Sequence, residues 1–126
     1  LVHAARNVKK GDILLFVPLS QIITLEMAFE SPIGRKMVQK NMKNRLLSPK
    51  HSFLSTYLMQ ERRKDATQFD EYLDILPKDL SCFPIFFKPE EKAWLKGSPF
   101  LTQVEEKIED IRQDYDLLCK EVPEYE

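Results

Sequence analysis

The sequence predicts an α+β fold: a pair of short strands at the start, then helices to the end. Three observations carry that prediction. Ile13-Leu14-Leu15-Phe16-Val17 is an unbroken apolar run behind a turn at Lys9-Lys10-Gly11-Asp12, the pattern of a strand covered on both faces. Ser-Pro pairs at 31–32, 48–49 and 98–99 each place a hydroxyl cap before a proline at the first helical position. Behind the last pair, Val104, Ile108, Ile111, Tyr115 and Leu118 recur at steps of four and three, the spacing of one helix face.

The elements follow in order. Residues 4–8 and 13–17 read as the two strands, with Gly11 supplying the positive φ of the turn. Pro18 has no N–H to give, so a ladder stops there. Residues 19–23 read as a further short extended piece. Thr24 is a helix cap with Glu26 in the first turn, and Leu25 to Phe29 is short helix-forming material. Ser31-Pro32 opens a helix with Ile33, Met37 and Val38 on one side and basic residues on the other.

Ser48-Pro49 opens the next helix, where Phe53, Leu54, Tyr57 and Leu58 form a broad apolar stripe and the basic run 62–64 meets the C-terminal dipole. Phe69, Tyr72, Leu73 and Leu76 form a short amphipathic helix, stopped by Pro77. Residues 81–87 read as an aromatic extended arm. Pro89 to Leu95 is a brief helix ended near Gly97, with Trp94 as its packing anchor. The final helix runs from Ser98-Pro99 to about Val122-Pro123.

With 126 residues, 43% of them hydrophobic and 31% charged, the chain suits one folded domain or part of a larger one, not a disordered segment. A longest apolar run of five excludes a spanning helix. No secretory leader is read, and the chain is expected to be intracellular and to begin in mid-strand, as an N-terminal truncation would. Cys82 and Cys119 are far apart and read as free, partly buried thiols rather than a disulfide framework.

The net charge is −1 but unevenly spread. Residues 31–60 hold no acid and six cations: Arg35, Lys36, Lys40, Lys43, Arg45 and Lys50. Residues 104–126 hold nine acids against Lys107, Arg112 and Lys120. Solvated helix faces are the plain reading; attraction between the two regions, or an acidic partner for the face of residues 35–50, are the others. That basic stretch contains no aromatic residue, so nucleic acid is disfavoured as a partner.

Few patterns carry chemistry. The three glycines are isolated, which rules out the phosphate-cradling loops. His3, His51, Cys82 and Cys119 lack metal-ligand spacing, and no metal site is expected. His51 lies in the first turn of a helix and reads as surface or capping chemistry, since it has no adjacent acid or cysteine. The adjacent acids Glu90-Glu91 and Glu105-Glu106 read as solvated.

Several segments, in order, resemble the N-terminal part of a SET-domain protein methyltransferase. The subclass is that of the Rubisco large-subunit lysine and actin-histidine methyltransferases. Val2-His3-Ala4-Ala5-Arg6-Asn7-Val8, the turn, and Ile13 to Pro18 resemble the paired strands that open that domain. Ile23-Thr24-Leu25-Glu26 with Ser31-Pro32-Ile33-Gly34 is similar to the helix pair that follows. Phe69-Asp70-Glu71-Tyr72-Leu73-Asp74-Ile75-Leu76-Pro77 is similar to a segment of the family's helical insertion. Pro84-Ile85-Phe86-Phe87, Glu90-Glu91, Leu95 and Gly97-Ser98 resemble the stretch after it.

The resemblance implies a partial SET domain: short N-terminal SET-type β-strands over residues 1–47, then an incomplete helical insertion over residues 48–126. It implies methyl transfer from S-adenosylmethionine to a side-chain nitrogen, lysine before histidine, of a protein substrate. Leu1, Val2 and His3 are the positions it implies beside the cofactor. The family's Asn-His pair and late tyrosine have no counterpart, so no catalytic residue is assigned, and the 126 residues alone are expected to be inactive. The rival readings are a non-catalytic helical interaction module derived from a SET protein, and an unrelated α+β scaffold that binds acidic polymers through residues 35–50.

Overall fold

The computed structural model describes residues 3–123. Among the described residues six α-helices follow one another: α1 Leu25–Glu30, α2 Pro32–Gln39, α3 Pro49–Arg62, α4 Asp70–Ile75, α5 Pro89–Ala93 and α6 Pro99–Glu121. Short 3₁₀ turns at Leu19–Gln21, Met42–Asn44 and Pro84–Phe86 punctuate them.

The expected α+β class is wrong: among the described residues there is no strand, and the chain is mainly helical. The turn itself forms, with Gly11 at φ 99°, Asp12 N donating to the Lys9 carbonyl at 3.1 Å and Lys9 N donating to Asp12 Oδ2 at 2.9 Å. No ladder follows it. Residues 13–17 are 48–79% exposed. A strand exists by pairing, and a lone two-stranded ribbon is marginal without a third strand or a covering helix. Among the described residues no helix covers the apolar run, and it takes no regular structure.

The helix starts are built as the sequence indicates, with one exception. Thr24 Oγ1 accepts from Met27 N at 3.3 Å, Ser31 Oγ from Gly34 N at 3.0 Å, and Ser98 Oγ from Phe100 N at 3.2 Å. Ser31 Oγ also donates to the Ala28 carbonyl at 2.8 Å, so one hydroxyl ends α1 and starts α2. Ser48 makes no such cap to α3; its own amide instead donates to Asp114 of α6 at 2.9 Å.

The core lies where α1, α2 and α3 meet the first part of α4 and the last turns of α6. Ala28, Met37, Met42, Leu46, Phe53, Tyr57, Phe69, Leu73, Leu118 and Val122 form one buried cluster. Phe29 and Phe53 meet edge to face at 4.7 Å, and Tyr57 and Phe69 at 6.5 Å; pairs of this kind add about 0.5–1.5 kcal/mol to area burial. Gly34 allows α1 and α2 to touch: a Cβ there would drive into the Ala28 backbone carbonyl.

The apolar stripe of α6 is only partly used. Val104 and Leu118 are buried, Ile108 is half-buried, and Ile111 and Tyr115 are exposed. Trp94 is 85% exposed rather than a packing anchor, because α5 is a single turn and nothing lies over it. The aromatic arm closes into the 3₁₀ turn Pro84–Phe86, which packs against α6.

Candidate functional site

Two of the concavities among the described residues bear on function. The first is a hollow of about 600 Å³ at the start of the chain, lined by His3, Ala4, Ala5, Arg6, Val8, Asp12, Ile13 and Leu14. It contains His3, one of the three positions the resemblance puts beside a cofactor; Leu1 and Val2 lie outside the described residues. Every wall belongs to one segment, and every lining residue is exposed. Such a hollow does not enclose a nucleoside-sized group or keep water from a sulfonium, so residues 3–123 do not by themselves fit S-adenosylmethionine.

The second place is the junction of α3 and α6, and Asp114 builds it. This carboxylate is buried. Its Oδ1 accepts from Leu47 N at 2.7 Å, and its Oδ2 accepts from Ser48 N and Ser52 Oγ, both at 2.9 Å. The first amides of a helix lack intrahelical acceptors and carry partial positive charge. Asp114 therefore fixes the entry into α3 from another helix, holding the Leu47 and Ser48 amides just ahead of Pro49 and the Ser52 hydroxyl of the first turn, while the Ser48 hydroxyl makes no cap to α3. That hydroxyl instead accepts from Lys107 Nζ at 3.1 Å. In the sequence, Asp114 reads as one more acid of a solvated face. The signal that distinguishes it is its register, three residues after Ile111 and four before Leu118, inside the apolar stripe.

Ser52, His51 and Asp114 are residue types of a nucleophilic relay, but their arrangement is structural. The Ser52 hydroxyl is buried and donates to the carboxylate directly, whereas a relay needs the imidazole between the two. His51 is exposed at the rim, in keeping with the surface role read from the sequence.

Beyond the clamp, a polar network ties the end of α3 to the loop before α4. Burial pushes the Glu61 carboxyl up, but hydrogen bonds from Lys64 and Thr67 and the charge of Lys64 outweigh it, leaving the group below its ordinary value. Burial raises the Tyr57 hydroxyl, with Glu61 adding to the rise and Lys64 opposing it. On the open face of α6, hydrogen bonds from Arg112 and Gln113 hold Glu109 at about 2. The basic middle and acidic tail also meet as an ion pair where Arg45 reaches Glu121 at 2.7 Å.

The described residues hold no group of His, Cys, Asp and Glu able to bind a metal ion. Both thiols are free, Cys82 exposed and Cys119 half-buried. No helix among the described residues is long and apolar enough to cross a membrane.

Comparison with curated proteins gives the functional lead. The chain is 24% identical over 114 residues to the actin-histidine N-methyltransferase of Callithrix jacchus. It is 23% identical over the same length to the proteins of that name from Homo sapiens and Papio anubis. Its distant relatives are methyltransferases. Each alignment covers 90% of this chain, and the chain spans 18% of the length of those relatives. No protein-family model matches the chain, and no solved structure matches it.

Proposed function

We propose that this chain is a helical part of an S-adenosylmethionine-dependent protein methyltransferase of the SET type, acting inside the cell on a side-chain nitrogen of a protein. The observation that carries the reading is the similarity along 90% of the chain to enzymes named for methyl transfer to histidine. The order of short motifs between residues 2 and 98 points the same way. The relatives' name favours histidine as acceptor, and the motif resemblance favours lysine.

Transfer of this kind needs a deprotonated nitrogen held in line with the donor methyl and shielded from water. The chain's own contribution is a rigid wall: α3 and α6, locked together by Asp114, hold their outward faces in a fixed relation. The cofactor's enclosure comes from residues other than 3–123, and the chain by itself is inactive. A second reading, a helical interaction module without catalysis, draws support from the exposed apolar side chains Ile75 and Trp94.

The test is transfer of labelled methyl from S-adenosylmethionine to purified actin and to a cell protein extract. The enzyme is the longer polypeptide containing these residues. Labelled methylhistidine or methyllysine in the hydrolysate supports the first reading and names the acceptor. Absence of label, together with binding of the polypeptide to extract proteins, supports the second.

A further inference from the structure

The α3–α6 junction opens into a groove of about 430 Å³, bounded by the Asp114 clamp at one end and by the core residue Leu118 on its inner side. Its sides are apolar: Met59 from α3, and Ile111, Tyr115 and Leu118 from α6. The first three are 41%, 46% and 51% exposed, which is unusual for side chains at the seam of two packed helices. One end is polar, where Lys107 Nζ donates a single hydrogen bond to Ser48 and keeps two N–H groups for an incoming acceptor. His51 stands beside it on the rim. The negative charge of Asp114 at the same end is taken up by two amides and a hydroxyl of the α3 start.

We propose that this groove binds a small amphiphile, an unbranched apolar chain with a carboxylate head that meets Lys107. The charge pattern selects the head, since Lys107 is the one fixed cation among the lining residues. The dimensions select the body. From Ser48 to Met59 the groove follows α3 for about 16 Å, and a helix about 10 Å across would fill on the order of 1,200 Å³ over that length. The space present suits one small molecule, as such sites commonly measure about 300–1,000 Å³ with mostly apolar linings and a few placed polar groups. This inference does not depend on the methyltransferase reading.

The experiment is a titration of the ¹⁵N-labelled 126-residue chain with decanoate below its micelle-forming concentration, followed by amide chemical shifts. Decylamine serves as the charge-reversed control. Saturable shifts confined to residues 48–59 and 107–118 are expected. Affinity should fall about threefold in Lys107→Ala, the scale of an exposed ion pair, and further in Ile111→Ser. Both positions are exposed, and an unchanged spectrum of each variant without ligand shows that the fold is kept. Shifts that fail to saturate, that centre on residues 13–17, that match those caused by decylamine, or that persist unchanged in Lys107→Ala overturn the proposal.

Discussion

Residues 24–76, with the last turns of α6, and the opening segment 3–23 are similarly rich in large apolar side chains, yet only the first has an inside. In the helical body, Phe29, Met37, Phe53, Phe69 and Leu118 come from four helices and a loop and cover one another. In the opening segment, Ile13, Leu14, Leu15 and Phe16 are each close to 80% exposed. The difference is where the hydrogen bonds come from. A helix satisfies its backbone within itself and needs only a neighbour for its apolar stripe. An extended run needs another strand for its backbone and a cover for each face. The body finds its partners within the chain; the opening segment does not, apart from Ile23 at its end, which packs against the core.

Truncation at the two ends of this contrast should differ most. Phe53→Ala is expected to cost about 3–5 kcal/mol by chemical denaturation, the range for emptying a buried aromatic site. Phe16→Ala should stay within about 0.5 kcal/mol of the parent chain, as exposed positions do. Equal losses would break the comparison.

Gly34→Ala probes the body at its tightest contact, and a loss of about 2–3 kcal/mol is expected from overpacking against the Ala28 carbonyl. Asp114→Ala leaves the Leu47 and Ser48 amides without their acceptor and the Ser52 hydroxyl with only the Ser48 carbonyl, and should cost about 2 kcal/mol. Asp114→Asn keeps one acceptor oxygen and should lose less, which separates the clamp from simple loss of volume.

The smallest effect is a pH dependence. Glu61 has a folded-state pKa below its ordinary 4.5, so its stabilisation is complete above about pH 4.5 and fades as pH falls through the lower folded value. The stability difference between the parent chain and Glu61→Gln should be constant from pH 7 to 5 and shrink below 4.5. A difference that grows on acidification would mean that burial, not Lys64 and Thr67, governs the group.

The same contrast explains what the residues disclose on inspection. Caps at Thr24, Ser31 and Ser98 are legible because their partners lie two or three positions away. Their helices are legible for that reason. The hold on the entry into α3 is not, because its acceptor is 66 residues downstream in α6. Five apolar residues in a row state a need for cover without saying whether the chain supplies it, so the run at 13–17 suggests a strand that does not form. Trp94 is the same case: an aromatic on a one-turn helix is an anchor only if something lies opposite. His3 is placed beside a cofactor by family resemblance alone, and the hollow it lines has a single wall that neither the resemblance nor the composition discloses.

Amide hydrogen exchange across the whole chain tests the contrast most directly. Slow exchange in α3 and the last turns of α6, with residues 13–17 exchanging at the rate of an unprotected peptide, is the predicted pattern. Protection of residues 13–17 as strong as that of α3 would show a paired strand where none is described, and would contradict the account.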